Sequence, residues 1–91
     1  MTDDNPTQFP IDGTIDLHTF EPKDIKSLIP DYIEACIEKD IFQIRIIHGK
    51  GAGTLRKIVQ SILDKNPNVI RYGQDNIQGG WGATVVELKK Q

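Results

Sequence analysis

The sequence predicts an α/β domain with the element order βαβαββ, and three observations carry that reading. Apolar and polar residues alternate in Ile15-Asp16-Leu17-His18, and strand-like apolar runs recur at 42–47, 69–72 and 83–88. Between them, two stretches place apolar residues at the helical period. Glycine, proline and asparagine punctuate the joins, at Glu21-Pro22, His48–Gly53, Asn66-Pro67-Asn68 and Gly73–Gly82.

The 91 residues allow one modest core without disulfides. Residues 1–10 contain two prolines and two adjacent acids with little apolar matter, so they are expected to form a flexible acidic N-terminal tail ahead of a domain spanning 11–91. In the first strand, Ile15 and Leu17 take the core face, and Asp16 and His18 share the other. The first helix opens at Glu21-Pro22, with Thr19 or Glu21 near its cap and an apolar stripe at Ile25, Leu28, Ile29, Tyr32, Ile33, Cys36 and Ile37. Pro30 interrupts the stripe, so a kink is expected there, or a break into helices 22–28 and 30–39. The single cysteine, Cys36, has no partner for a bridge within the chain and reads as a small apolar filler.

The strand at 42–47 follows a helix that followed a strand, which predicts parallel pairing through a right-handed crossover. Their C-terminal ends then coincide, bringing Asp16 and His18 to the sheet edge that carries His48. A second helix is expected over 54–64, with Leu55, Ile58, Val59, Ile62 and Leu63 inward and Arg56, Lys57 and Gln60 outward.

The densest chemistry lies in Ile46-Ile47-His48-Gly49-Lys50-Gly51-Ala52-Gly53-Thr54-Leu55-Arg56. Glycines at 49, 51 and 53 remove side chains that would hold a ligand off the backbone, so successive amides can converge on an anion. The helix that follows adds its free N-terminal amides, and His48, Lys50, Arg56 and Lys57 add hydrogen bonds or charge. A phosphate suits such a site. Lysine does not follow the last glycine and the spacing is not Gly-x-Gly-x-x-Gly, which argues against a Walker A nucleotidase and a dinucleotide-binding unit. A glycine-rich turn without a ligand is the plain alternative.

The formal net charge of −2 hides a division along the chain. Residues 1–13 carry −3 and 14–40 carry −4, whereas 41–73 carry +5 and 74–91 are balanced. Positive charge thus gathers on the glycine loop, its helix and the next strand, where phosphate contacts would be made. Residues 1–13 show neither the basic start nor the apolar centre of a signal peptide, and no run approaches membrane-spanning length. A cytoplasmic, monomeric chain with no membrane partner is expected.

Three motifs in register carry a family resemblance: Ile15-Asp16-Leu17-His18, then His48 to Arg56, then Gly79-Gly80-Trp81-Gly82-Ala83-Thr84-Val85-Val86-Glu87-Leu88. Over residues 12–90 the chain resembles the small MutS-related (Smr) domain family. The resemblance implies a two-layer α/β (α+β) sandwich, a four-stranded mixed sheet with two helices against it, similar to the C-terminal domain of bacterial translation initiation factor three. It also implies nucleic-acid binding and, for several members, endonuclease activity on DNA or RNA. Thr19 stands where the family usually has glycine after the first motif.

Phosphodiester cleavage requires proton transfer and stabilisation of phosphoryl charge. Asp16 can accept from the imidazole or bind a divalent cation such as Mg2+, and His18 can act as general acid or base. His48 is the second candidate for proton transfer, or else a phosphate ligand or a structural donor at a strand end. Gly49, Lys50, Gly51 and Gly53 would cradle the phosphate, with Arg56 and Lys57 beside them. Trp81 either stacks on a base or folds onto the sheet. No cysteine cluster or close histidine pair favours a stable zinc site, and no other cofactor is called for. The readings are a nuclease, a binding module without chemistry, and a docking module for a ribosome or a protein.

Overall fold

The computed structural model describes residues 11–18, 20–49, 53–74 and 82–90. The elements, in chain order, are β1 (Thr14–Asp16), α1 (Pro22–Glu38), β2 (Gln43–Ile47), α2 (Thr54–Asp64), β3 (Val69–Gln74) and β4 (Ala83–Leu88). They form one mixed four-stranded sheet in the order β1-β2-β4-β3. β1 runs parallel to β2, with Thr14 opposite Arg45 and Asp16 opposite Ile47, and β4 runs antiparallel to both β2 and β3.

This order fixes where the helices lie. β3 is parallel to β2 because both oppose β4, so α1 and α2 are both crossovers between parallel strands. The two crossovers step the same way across the sheet; right-handed connections therefore put both helices on one face, parallel to each other. The core agrees: Ile15, Leu17, Ile44, Ile46, Val86 and Leu88 of the sheet are buried with Ile25, Ile29, Tyr32, Ile33 and Cys36 of α1 and Val59 and Leu63 of α2. The result is a two-layer α+β domain whose other sheet face carries Thr14, Asp16, Gln43, Arg45 and Glu87.

No break divides α1 at Pro30; one helix runs from Pro22 to Glu38. The buried stripe continues on both sides of the proline, from Ile25 and Ile29 to Ile33 and Cys36, and packing against one core holds the two parts together. Glu21 occupies the N-cap position and makes no side-chain capping bond. Tyr32 reaches out of α1 to the start of β1. Its hydroxyl accepts from the Gly13 amide and donates to the Thr14 carbonyl, each at 3.1 Å, and burial pushes its pKa up to about 12. Cys36 is fully buried, and the same desolvation raises its thiol pKa. The third strand extends two residues beyond the expected Tyr72, because Gly73 and Gln74 continue the ladder to Val85 and Thr84.

Candidate functional site

Parallel pairing of β1 and β2 brings the ends of both strands to one edge. Leu17 continues the ladder by donating its amide to the Ile47 carbonyl at 2.9 Å, which carries Asp16 and His18 up to the segment that follows β2. There the alternation of β1 has its chemical result. Asp16 accepts from the His18 backbone amide at 2.9 Å, and its Oδ1 lies 2.7 Å from His18 Nδ1. Both side chains are more than half exposed. The amide bond from His18 is the largest influence on the Asp16 carboxyl and holds its pKa below the usual value, with the imidazole bond adding to it. An ionised Asp16 only accepts, so Nδ1 carries the shared proton and Nε2 faces outward.

That Nε2 stands beside the glycine segment. A Cβ added to Gly49 would lie 3.7 Å from it, and Gly49 has φ +85°, a conformation other residues rarely adopt. The Gly49 amide, expected to face an anion, is instead committed within the protein. It and the His48 amide both donate to the Gly82 carbonyl, at 2.9 and 2.8 Å. Gly49 thus contributes the lack of a side chain beside His18 Nε2.

His48 is turned inward and only 7% exposed. The Gly49 carbonyl, 3.0 Å from Nδ1, can only accept, so Nδ1 carries a proton; Nε2 lies 2.9 Å from the Thr84 hydroxyl. Both ring nitrogens are therefore engaged by the protein. The geometry gives His48 the structural bond at the strand end rather than a free nitrogen for proton transfer or phosphate. Sequence reasoning named Thr84 only as part of a motif. Its signal was its register: it alternates with Val86 and Leu88 on the core side of β4, where a hydroxyl needs a partner.

At the far end of the loop, Gly53 caps α2 in the left-handed conformation, φ +88°, without a side-chain bond to the helix amides. The first turn of α2 contains no acid, so no carboxylate there opposes an anion at the positive end of the helix dipole. Arg56 folds back towards this end, its Nη2 3.7 Å from where a Cβ on Gly53 would lie. Lys57, one residue on, points elsewhere and borders a groove between α1 and α2. Lys50, Gly51 and Trp81 lie outside the described residues, as does Thr19. Among the described residues no three His, Cys, Asp or Glu side chains gather as a metal site, and no helix is long and apolar enough to cross a membrane.

The chain is similar to parts of larger proteins. It is 35% identical over 81 residues to the endonuclease MutS2 of Halothermothrix orenii and 39% identical over 74 residues to that of Staphylococcus haemolyticus. These alignments cover 87% and 80% of this chain but only 10% of each relative, so the chain spans about a tenth of the length of the curated proteins it matches. The crystal structure of the Smr domain of Thermus thermophilus MutS2 superposes with a TM-score of 0.78 at 26% identity, covering 84% of this chain and 96% of that one. YdaL, a stand-alone small MutS-related protein from Escherichia coli, superposes with a TM-score of 0.80 over 92% of this chain and 70% of that one; at 23% identity this likeness concerns the fold. The family pattern described as Smr domain matches residues 15–89, from the first strand through the last, and on that match the chain belongs to the Smr domain family.

Proposed function

We propose that this Smr domain binds a nucleic-acid phosphate at the N-terminal end of α2 and cleaves the phosphodiester with the Asp16–His18 pair. The observation that carries this reading is the position of His18 Nε2, which is backed by Asp16 through Nδ1 and faces the space left by Gly49. With Nδ1 protonated and bonded to a carboxylate, Nε2 of the neutral ring has a lone pair for the proton of an attacking hydroxyl, either water or an RNA 2′-hydroxyl. The ionised Asp16 then stabilises the imidazolium that forms, and that ring can return a proton to the leaving oxygen. Arg56 and the N-terminal amides of α2 would hold the phosphoryl oxygens, and Lys50 would add charge along the bound strand. His48 serves by fixing the backbone from which the loop departs. Among the described residues a divalent cation such as Mg2+ would have Asp16 as its carboxylate at this edge, and cleavage through the histidine does not require it. The MutS2 relatives are named endonucleases, which supports the reaction class.

The test is cleavage of supercoiled plasmid and of single-stranded RNA by the purified chain, with Mg2+ and with EDTA. Asp16→Ala and His18→Ala should abolish cutting while leaving the thermal midpoint and nucleic-acid affinity nearly unchanged, because both side chains are exposed. Arg56→Ala should instead weaken binding and flatten its salt dependence by about one counterion. Cutting at wild-type rate in both Asp16 and His18 variants would refute the assignment. If the wild-type chain binds but never cuts, it is a binding module.

A further inference from the structure

A groove of about 700 Å3 runs between α1 and α2 on the side of the helix layer away from the sheet. Two rows of side chains border it at a spacing of four residues, Lys26-Pro30-Glu34 on α1 and Lys57-Ser61-Lys65 along α2 to its C-cap. In each row the middle position lacks a long side chain. The groove is therefore open at its centre to Ile58 and Ile62, which are half-buried, apolar and part of its lining. Three lysines stand against one glutamate on the rim, in a chain whose formal net charge is −2. The groove thus combines an apolar floor with a basic border.

We propose that this groove docks an amphipathic acidic helix of a partner protein. The two rows span eight residues, about 12 Å or two helical turns, which matches apolar anchors at i and i+4 on an incoming helix. Carboxylates flanking those anchors would meet Lys26, Lys57 and Lys65. Nucleic acid fits less well, because no aromatic ring or guanidinium lines this groove and its floor is aliphatic. This site is independent of cleavage and lies along α2 beyond the phosphate end.

The probe is a fluorescein-labelled, hydrocarbon-stapled helix of about 15 residues, since an unstapled one would be marginally helical. It carries leucines at i, i+4 and i+7, with glutamates flanking them, and is titrated against the full chain by anisotropy. A second peptide has lysine at every glutamate. The acidic peptide should bind and the basic one should not; Lys65→Glu and Ser61→Trp should each weaken binding by about tenfold or more, the loss expected when a central contact is removed. Both substituted positions are exposed, so the fold should persist, and Ser61→Trp, which carries no charge change, should leave oligonucleotide affinity as it is. Equal binding of the two peptides, indifference to Ser61→Trp, or competition by an oligonucleotide would overturn the proposal. It would also fail if the chain self-associates through this groove, or if the peptide binds only after residues 1–10 are deleted, results that identify a second copy or the chain's own acidic segment as the occupant.

Discussion

Replacing Thr84 by valine tests whether the inward histidine is held by the bond that the geometry gives it. Valine has almost the shape of threonine, so the substitution opens no cavity and removes one thing, the hydroxyl 2.9 Å from His48 Nε2. Thr84 is 2% exposed and His48 7%, so water does not readily replace the lost partner. A buried polar atom left unpaired costs about 1–3 kcal/mol. In a domain of this size each kcal/mol lowers the thermal midpoint by roughly 4–8 °C, so a loss near the middle of that range predicts a fall of about 10 °C. Thr84→Ser keeps the hydroxyl and loses one methyl group, for a smaller cost of about 1 kcal/mol. Circular dichroism melts and urea titrations would measure both, with the slope of the urea transition unchanged. Amide exchange at Gly49 should quicken in the valine variant, because its carbonyl and its amide are both tied to this corner. A valine variant within about 2 °C of wild type, or a serine variant destabilised as much as the valine one, would refute the reasoning.

Tyr32→Phe should cost about 1–3 kcal/mol by leaving the Gly13 amide without its acceptor, while nucleic-acid affinity stays the same; an unchanged midpoint would mean that the bond adds nothing. The Asp16 carboxyl, followed by carbon-13 NMR, should titrate below 3.8. In His18→Ala it should remain lowered, because the largest influence is the backbone amide of residue 18, which alanine retains. Since the native value is the depressed one, the stability that Asp16 contributes is present above the usual carboxylate range and lost as pH falls through the lowered value. Pro30→Ala restores an amide to the Lys26 carbonyl inside an unbroken helix. It should raise stability by about 1–2 kcal/mol, the gain in helix propensity less the unfolded-state restriction that proline supplied; a loss would show that the proline is built into the helix geometry.

Much of this architecture was legible in the sequence because local signals agreed. α2 spans 54–64 as expected, since its apolar period, the glycine before it and the Asn-Pro-Asn after it mark the same limits. The shared side of Asp16 and His18 followed from strand alternation alone, and their meeting with Gly49 from parallel pairing. Pro30 left two outcomes open, a kink or a break, and the break does not occur because one buried stripe from Ile25 to Cys36 holds both parts of α1 to the core. His48 was ambiguous for another reason. A histidine at a strand end can face the open edge or tuck under a neighbour, and the choice depends on the β2–β4 register, which sets Thr84 and Gly82 beside it across more than thirty residues of chain. The double use of the Gly82 carbonyl has no local signature at all.

The three-residue β1 lies at the edge of the sheet, pinned by Ile15 and Leu17 in the core and by its pairing to β2. The proposed acid–base pair therefore rides on the element with the fewest ladder bonds, whereas α2 and its anion-facing end are rooted in the middle of the chain. Fraying of so short a strand takes far less energy than unfolding the domain. Were the pair to cut as proposed, warming should silence that chemistry before it loosens a phosphate held at α2.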